Sequence, residues 1–348
     1  VSRALSVVML AYGDEPYLGR AVAAVLGSAG VEIQLILVDN GTTSDAVRAL
    51  PADARLTVLT PGENLGFTGG VNLGMRHATS PYVGTVNSDA IVAPDALAQL
   101  VDHLADHPEV GLVGATIVLA DDPGTINSAG NPLHVLGLSW AGQMGRPVSE
   151  VPAVASPTSV SGATMVLRRD VWERLGGFPQ EFFAYFEDME LSWRARQAGL
   201  EVHVLGTARV RHHYEFSRSP LKMYLVERNR WLLLLTCFER RTLMAVAPPL
   251  LAFELAIGVV ALAQGWARAK TRGWRWILAH RRWVADRRAF VQASRRVPDA
   301  DLLDLLTDTF DPAQTPLPPA AAPLERLLRS YWRAVSRVLR AKAAPHDR

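Results

Sequence analysis

Through the first two-thirds of the chain, apolar residues come in short blocks, and each block closes on a polar cluster. Residues 5–11 are apolar and β-rich and end in Tyr12, Gly13 and Asp14, which predicts a buried strand followed by a loop. Residues 16–28 read as a helix, 32–38 as a second strand and 39–45 as a polar turn. A short helix and a strand at 56–60 lead to a glycine-rich loop and helix over 64–77. A fourth strand, 82–86, closes on Asn87, Ser88 and Asp89; a helix at 94–107 and a strand at 110–119 follow. Strands alternating with helices predict an α/β sheet, mostly parallel, with helices on both faces. Ligands of such sheets sit at the carboxyl ends of the strands. Polar clusters fall at those ends three times, at 12–15, 39–45 and 87–89.

Residues 121–157 are rich in glycine and proline and predict an irregular, substrate-facing excursion. Beyond it come a strand at 163–168, a helix at 171–175, a helix opening with Glu187 and Asp188, and a strand at 201–204. Carboxylates are favoured at a helix start, where free N–H groups and the helix dipole stabilise negative charge. A carboxylate held there beside aromatic residues is placed to accept a proton from a substrate hydroxyl. An ordinary acidic first turn on a surface helix is the plainer reading of that segment alone.

With 348 residues, 49% hydrophobic and 20% charged, the chain can bury a core of about two domains. Its net charge of +2 conceals an asymmetry, with acidic groups dominating the first half and arginines crowding the region after Arg209. Such a basic half meets an anionic surface, membrane or nucleic acid, and no nucleic-acid module is recognisable. The single cysteine, Cys237, excludes an intramolecular disulfide framework and a multi-cysteine metal site. The N-terminal apolar run is too short for a secretory signal and reads better as the first strand.

Asp39, directly after a strand, would accept a hydrogen bond from a nucleobase or ribose, or else close an Asx-turn. The run Asn64, Leu65, Gly66, Phe67, Thr68, Gly69, Gly70, Val71, Asn72 brings glycines to a helix N-terminus, which suits an anionic or nucleotide ligand. It lacks the spacing of a dinucleotide fingerprint and of a P-loop. Asp89 presents a carboxylate at the sheet edge, enough for a weak Mg²⁺ or Mn²⁺ site once a diphosphate supplies further oxygens. A nitrogen from His212 or His213 would lean that site toward Mn²⁺.

In order, these segments resemble the inverting family 2 glycosyltransferases of GT-A fold, in their bacterial rhamnosyl- and galactofuranosyltransferase-like branch. SVVMLAYGDEPYL resembles the family's first strand and loop, VDNGTTSD its nucleotide-binding turn, ENLGFTGGVNLGMR its glycine-rich segment and VNSD its metal-binding triplet. SGATMVLRRDVWERLGGFPQEFFAYFEDMELSWRARQAG resembles the acceptor and catalytic stretch, and HHYEFSRSPLKMYLVERNRW the segment closing the domain. The resemblance implies a Rossmann-like GT-A domain over 1–230, with a nucleotide-binding half (1–120) and an acceptor half (121–230). It makes Asp188 the general base and Glu187 a positioner of the acceptor. It assigns Ala11, Tyr12, Asp39, Asn64, Gly66, Phe67, Asn72, Asn87 and Ser88 to the sugar nucleotide. Asp89 and His212, with His213 as alternative, would hold Mg²⁺ or Mn²⁺, and Gly162, Ala163, Tyr185, Glu187 and Trp193 would line the acceptor. Two departures stand out: Asn87 where many relatives carry aspartate, and Pro179 where aspartate is frequent. The implied activity is transfer of a sugar, rhamnose from dTDP-rhamnose in this branch, to a glycan or lipid-linked glycan for envelope polysaccharide. A scaffold that keeps the fold without turnover is the second reading, supported by Asn87. A nucleotidyltransferase is a third, disfavoured because no lysine-bearing glycine loop stands near the N-terminus.

Residues 242–264 are apolar for long enough to span a bilayer. Both flanks are basic, Arg240 and Arg241 before and Arg268, Lys270, Arg272 and Arg275 after, so the positive-inside rule assigns no orientation. A broken, re-entrant or in-plane helix, a full span and a buried core helix all stay open. Trp266, Trp274, Trp276 and Trp283 interleave with arginines in a helical region over 231–310, a pattern suited to lipid headgroups. After a Pro/Ala linker at 311–323, a basic amphipathic helix over 324–348 sets Leu324, Leu328, Tyr331 and Val335 against Arg326, Arg329, Arg333 and Arg337. That helix would lie on a membrane or pack on the protein. The expected location is the cytoplasmic face of the membrane, where sugar nucleotides are made.

Overall fold

In the computed structural model, which describes residues 3–213, 219–311, 314 and 322–343, the first apolar run is strand β1 (Ala4–Gly13). Next come α1 (Leu18–Leu26), β2 (Glu32–Thr42), β3 (Leu56–Leu59), α2 (Gly66–Met75), β4 (Tyr82–Val86) and β5 (Ala90–Val92). They are followed by α3 (Ala96–Asp106), β6 (Val110–Leu119), β7 (Ile126–Ser128), β8 (Leu133–His134) and β9 (Val154–Ala155). Then β10 (Thr164–Arg168), α4 (Arg169–Leu175), α5 (Glu187–Gln197) and β11 (Glu201–His212) complete the middle of the chain. The remainder is α6 (Pro220–Cys237), α7 (Arg240–Ala263), α8 (Ala267–Ala279), α9 (Arg281–Ala293), α10 (Asp299–Leu302), β12 (Leu306–Thr307) and α11 (Ala322–Ala343). Residues 214–218, most of the expected 311–323 linker and the last five residues lie outside the described residues.

Two compact units emerge. The first takes in Val1–Asn131, Ala141–Ala195 and Leu200–Phe216, the second Pro132–Trp140, Arg196–Gly199 and Ser217–Arg348. The first unit is built on a sheet of order β3-β2-β1-β4-β10-β6-β11-β5, with β7 beside β6 and β9 beside β11. β3, β2, β1 and β4 are parallel, as are β6 and β11. β10 runs antiparallel between β4 and β6, and β5 antiparallel to β11, so the sheet is mixed. Leu18, Ala21, Val22 and Val25 of α1 and Leu97, Leu100, Val101 and Leu104 of α3 fall on helical stripes buried in the core with β1 and β6. α2 lies unusually close to β1. A Cβ on Gly70 would come within 2.0 Å of Leu10 Cδ1, and one on Gly74 within 2.4 Å of Val8 Cγ1. The glycines therefore set the depth of that helix on the sheet.

Three elements differ from the sequence expectation. The short helix expected between β2 and β3 is a pair of turns, Ala49 N–H to Asp45 O and Leu50 N–H to Val47 O, ahead of Pro51. β5 is a strand of three residues, too short to give a periodic signal. β11 runs on from 204 to His212 because exposed Thr207 and Arg211 alternate with buried Ala208, Val210 and His212.

Of the second unit, α7 is long and apolar enough to cross a membrane by length and composition, and 11% of its most apolar window is buried. Pro248 and Pro249 lie inside it, yet it continues as one helix. Its Glu254 turns inward. Lys270 Nζ bonds Glu227 Oε2 and Glu254 Oε2, both at 2.6 Å, and Arg230, fully buried, bonds the same two carboxylates. Met244, Leu251, Leu255, Val259 and Leu262 are exposed. α11 packs within this unit through buried Trp332 and a Tyr331 hydroxyl donating to Ala245 O at 2.7 Å, and leaves Leu324 and Leu327 exposed.

Candidate active site

The site grows from the first turns of α2. Gly66 has φ +69°, and a Cβ there would lie 2.5 Å from the carbonyl oxygen of Phe183, so only glycine fits. Two residues on, Thr68 N–H donates to Phe183 O at 3.1 Å and its hydroxyl to Gln180 O at 3.0 Å. Asn72 donates its amide to Phe178 O at 2.8 Å and accepts from Phe178 N–H at 3.1 Å. The glycine-rich helix and the loop before α5 are therefore locked together. That loop holds Phe183, Tyr185 and Phe186 at φ +64°, +71° and +71°, a region that non-glycine residues adopt at a cost of about 1–3 kcal/mol each and that clusters at functional sites. The Tyr185 side chain is exposed.

α5 opens directly from this loop with Glu187 and Asp188. Asp188 is gripped through both oxygens: Gly162 N–H donates to Oδ2 at 3.0 Å and Met189 N–H to Oδ1 at 2.7 Å. Its side chain keeps part of its surface open, whereas Glu187 is only 7% exposed. Glu187 Oε2 has no hydrogen-bond partner among the described residues. Burial, reinforced by the neighbouring Asp188 charge, pushes the Glu187 carboxyl up to about 8. Burial also raises Asp188, opposed by the N–H groups of Gly162 and Met189. Burial thus raises both carboxyls, and what separates them is that two N–H groups stabilise an Asp188 anion while Glu187 Oε2 has no donor among the described residues.

Gly162 and Ala163 tie this carboxylate to the end of β4. Thr85 Oγ1 donates to Gly162 O at 2.8 Å, and Asn87 N–H donates to Ala163 O at 3.0 Å. Two residues beyond Asn87, Asp89 Oδ1 lies 3.1 Å from His212 Nε2. The other ring nitrogen of His212 lies 3.2 Å from Asn127 Oδ1. With that nitrogen donating to Asn127, Nε2 turns its lone pair toward Asp89, a contact that needs a shared proton or a cation. His213 is engaged elsewhere. Its ring stacks on Tyr17 at 3.7 Å, and its backbone N–H binds Asp89 O at 3.0 Å. Among the described residues no group of three or more His, Cys, Asp or Glu could hold a metal alone. One carboxylate and one imidazole suit an ion whose remaining ligands come with a substrate.

On the nucleotide side, Ala11 is paired with Asp39 across β1 and β2. Asp39 Oδ1 accepts from Gly41 N–H, Thr42 N–H and Thr42 Oγ1 in an Asx-turn. Burial raises its carboxyl, but the Thr42 and Gly41 hydrogen bonds prevail and hold it below the usual range. Asp39 Oδ2 has no partner among the described residues. Asn64 Oδ1 accepts from Asn40 and from Gly66 N–H, shaping the turn into α2. Tyr12 is 57% exposed beside Gly41.

A family model described as "Glycosyltransferase like family 2" matches residues 3–233. The chain belongs to glycosyltransferase family 2. Among curated relatives, the "O-antigen biosynthesis protein RfbC" of Myxococcus xanthus is 31% identical over 53% of this chain, a match spanning only 15% of that protein. The "N-acetylglucosaminyl-diphospho-decaprenol L-rhamnosyltransferase" of Mycobacterium tuberculosis is 27% identical over 62% of this chain and 78% of its own length. Among solved structures, GalNAc-T7 with UDP, GalNAc and Mn2+ aligns with TM-score 0.59 at 14% identity, over 72% of this chain and 51% of that one. S. aureus TarS aligns with TM-score 0.53 at 16% identity, over 97% and 55%. These likenesses make the fold of this glycosyltransferase GT-A.

In this family 2 enzyme Trp193, expected at the acceptor groove, is completely buried, because α5 is enclosed on nearly every side, with Glu190, Leu191, Ser192 and Ala195 inaccessible as well. That corrects its assignment to the acceptor. The Asn72 amide is engaged at both ends by Phe178, which makes it a positioning group for the loop before α5. Two residues escaped the sequence reading. Glu15 Oε1 accepts from Tyr12 N–H at 2.7 Å and Ser88 Oγ at 3.0 Å, joining the loop after β1 to the Asn87–Asp89 triplet. Burial raises the Glu15 carboxyl above its ordinary value, with the Asp89 charge adding to the shift. Its signal was an acidic residue two places beyond a strand end. Asn127, behind His212, left no signal at all.

Glu187 binds a proton in the folded enzyme between its unfolded value near 4.5 and about 8, and the unfolded chain does not. Its contribution is therefore complete below pH 4.5 and declines as pH rises through 8, by at most about 1.4 kcal/mol per pH unit. Glu187→Gln is expected to flatten that decline in urea melts between pH 5 and 9. Identical slopes in the two proteins would show that Glu187 is not held neutral.

Proposed function

We propose that this enzyme is an inverting transferase that moves rhamnose from dTDP-rhamnose to a glycan or lipid-linked glycan acceptor of the cell envelope. The observation that carries the reading is the continuous path Asp188, Gly162, Ala163, Asn87, Ser88, Asp89, His212, which gathers residues distant in sequence into one site. The names of the mycobacterial and myxobacterial relatives support the sugar and the envelope setting.

Asp188, hydrogen-bonded as an anion, takes the proton of the acceptor hydroxyl as its oxygen attacks the anomeric carbon. Attack from the face opposite the nucleoside diphosphate inverts that carbon. Neutral Glu187 beside it keeps a second charge out of the pocket, and exposed Tyr185 flanks the acceptor. Asp39 Oδ2 and the open Tyr12 ring suit the base and ribose. Asp89 and His212 would hold a Mn²⁺ or Mg²⁺, which when bound supplies positive charge for the leaving diphosphate. The exposed apolar face of α7 and the exposed arginines of the helices after it suit association with the cytoplasmic face of a membrane.

Thermal melts of the full chain against a panel of sugar nucleotides test this. At about 100-fold excess over Kd, dTDP-rhamnose with Mn²⁺ is expected to stabilise the enzyme by about 2.7 kcal/mol. His212→Ala should lose the Mn²⁺-dependent part. Indifference to every sugar nucleotide would sink the transferase reading in favour of a scaffold. Recovery wholly in the supernatant after sedimentation with anionic vesicles would remove the membrane component alone.

A further inference from the structure

On β11, Arg209 and Arg211 alternate with Val210 and His212. Successive residues of a strand face opposite ways, so the two guanidinium groups lie on the side of the sheet away from the one where His212 meets Asp89. There they line a cavity of about 390 Å³ walled by Ile91, Val92, Pro94, Val118 and Pro123. Among the described residues neither arginine makes a side-chain hydrogen bond or an ion pair, and no acidic side chain lines the cavity. Arg209 Nη1 is shut off from solvent with no acceptor in reach. Burial by itself draws the Arg209 guanidinium below its ordinary value. Arg168 of the same unit, by contrast, donates to Leu104 O, Pro108 O and Val110 O. A half-buried guanidinium with one nitrogen shut off from water and no acceptor is costly, and an oxyanion is its natural complement. Apolar walls around a few convergent polar groups are the build of a small-molecule site.

We propose that Arg209 and Arg211 form a second anion site, distinct from the donor pocket, for a diphosphate-type oxyanion carrying a short apolar segment. Guanidinium forks match phosphate oxygens in pairs, and Ile91, Val92 and Val118 supply the surface for the first carbons beyond them. The oxyanion could arrive as a lipid diphosphate headgroup or as free diphosphate; the lipid source rests on the reading of a lipid-linked acceptor, the anion site does not.

The test is calorimetric titration of the full chain in EDTA, without donor, using inorganic pyrophosphate and geranyl diphosphate as probes. Wild type is expected to bind both, and the double variant Arg209→Gln, Arg211→Gln to bind them at least about tenfold more weakly. Asp89→Asn should bind as wild type does. Geranyl diphosphate binding about tenfold or more tightly than pyrophosphate assigns the site to a lipid headgroup, and equal affinities assign it to free diphosphate. No binding by wild type, or undiminished binding by the double variant, would overturn the proposal. Should the double variant unfold, Arg211→Gln, a change at an exposed side chain, carries the same test. Mn²⁺-dependent stabilisation by dTDP-rhamnose should persist in Arg211→Gln, which keeps failure here separate from failure of the transferase reading.

Discussion

Asp188→Asn is expected to lower turnover by about 10²–10⁴-fold while leaving donor affinity within a few-fold of wild type. The amide keeps the shape of the carboxylate and still accepts from Gly162 N–H or Met189 N–H through its remaining oxygen. It has no basic oxygen left for the acceptor proton. Glu187 cannot take over, because its carboxyl is 7% exposed and raised to about 8, so it already carries a proton at neutral pH. Steady-state kinetics with a calorimetric titration of donor separate the two effects. A fall in donor affinity as large as the fall in turnover would make Asp188 a donor ligand.

The second large effect concerns stability. Arg194 and Glu190 form an ion pair inside the first unit at 2.8 Å, with both side chains essentially inaccessible. Arg194 also donates to the carbonyls of Leu175 and, at 2.6 Å, Gly177, which fastens α5 to the turn after α4. Arg194→Met removes the cation that faces the buried Glu190 carboxylate and frees two buried carbonyls. Breaking such a pair costs about 3–5 kcal/mol. The double change Arg194→Met, Glu190→Leu should recover a good part of it, since apolar replacement of a buried pair is often close to neutral. Urea denaturation of the three proteins gives the comparison. A loss under about 1 kcal/mol for Arg194→Met would mean that the pair holds the loop in place without stabilising the unit.

Much of the fold was legible because its strands are apolar blocks with polar ends. β4 at 82–86 and β6 at 110–119 fall where the pattern placed them. β11 was cut short in the reading because Arg209 and Arg211 interrupt its apolar residues, and only sheet pairing shows that Val210 and His212 continue the strand. Candidate site residues were legible where polar groups sat at strand and helix ends, as with Asp89 and the Glu187–Asp188 pair. It was illegible where function depends on contacts between remote segments. Nothing local says that Asn72 grips Phe178, that Glu15 reaches Ser88, or that Asn127 sits behind His212. Trp193 shows the reverse error: an aromatic residue near an acidic pair invites a binding role, but α5 is enclosed on nearly every side.

The four interlocked charges of α6, α7 and α8 carry a warning for anyone trimming the protein to make it better behaved in solution. Cutting out the greasy helix would remove Glu254 and leave Arg230 and Lys270 to share Glu227 alone, two positive charges against one where water does not reach. Handling is better improved by repainting the outward Leu251, Leu255 and Leu262 with polar side chains than by shortening the polypeptide.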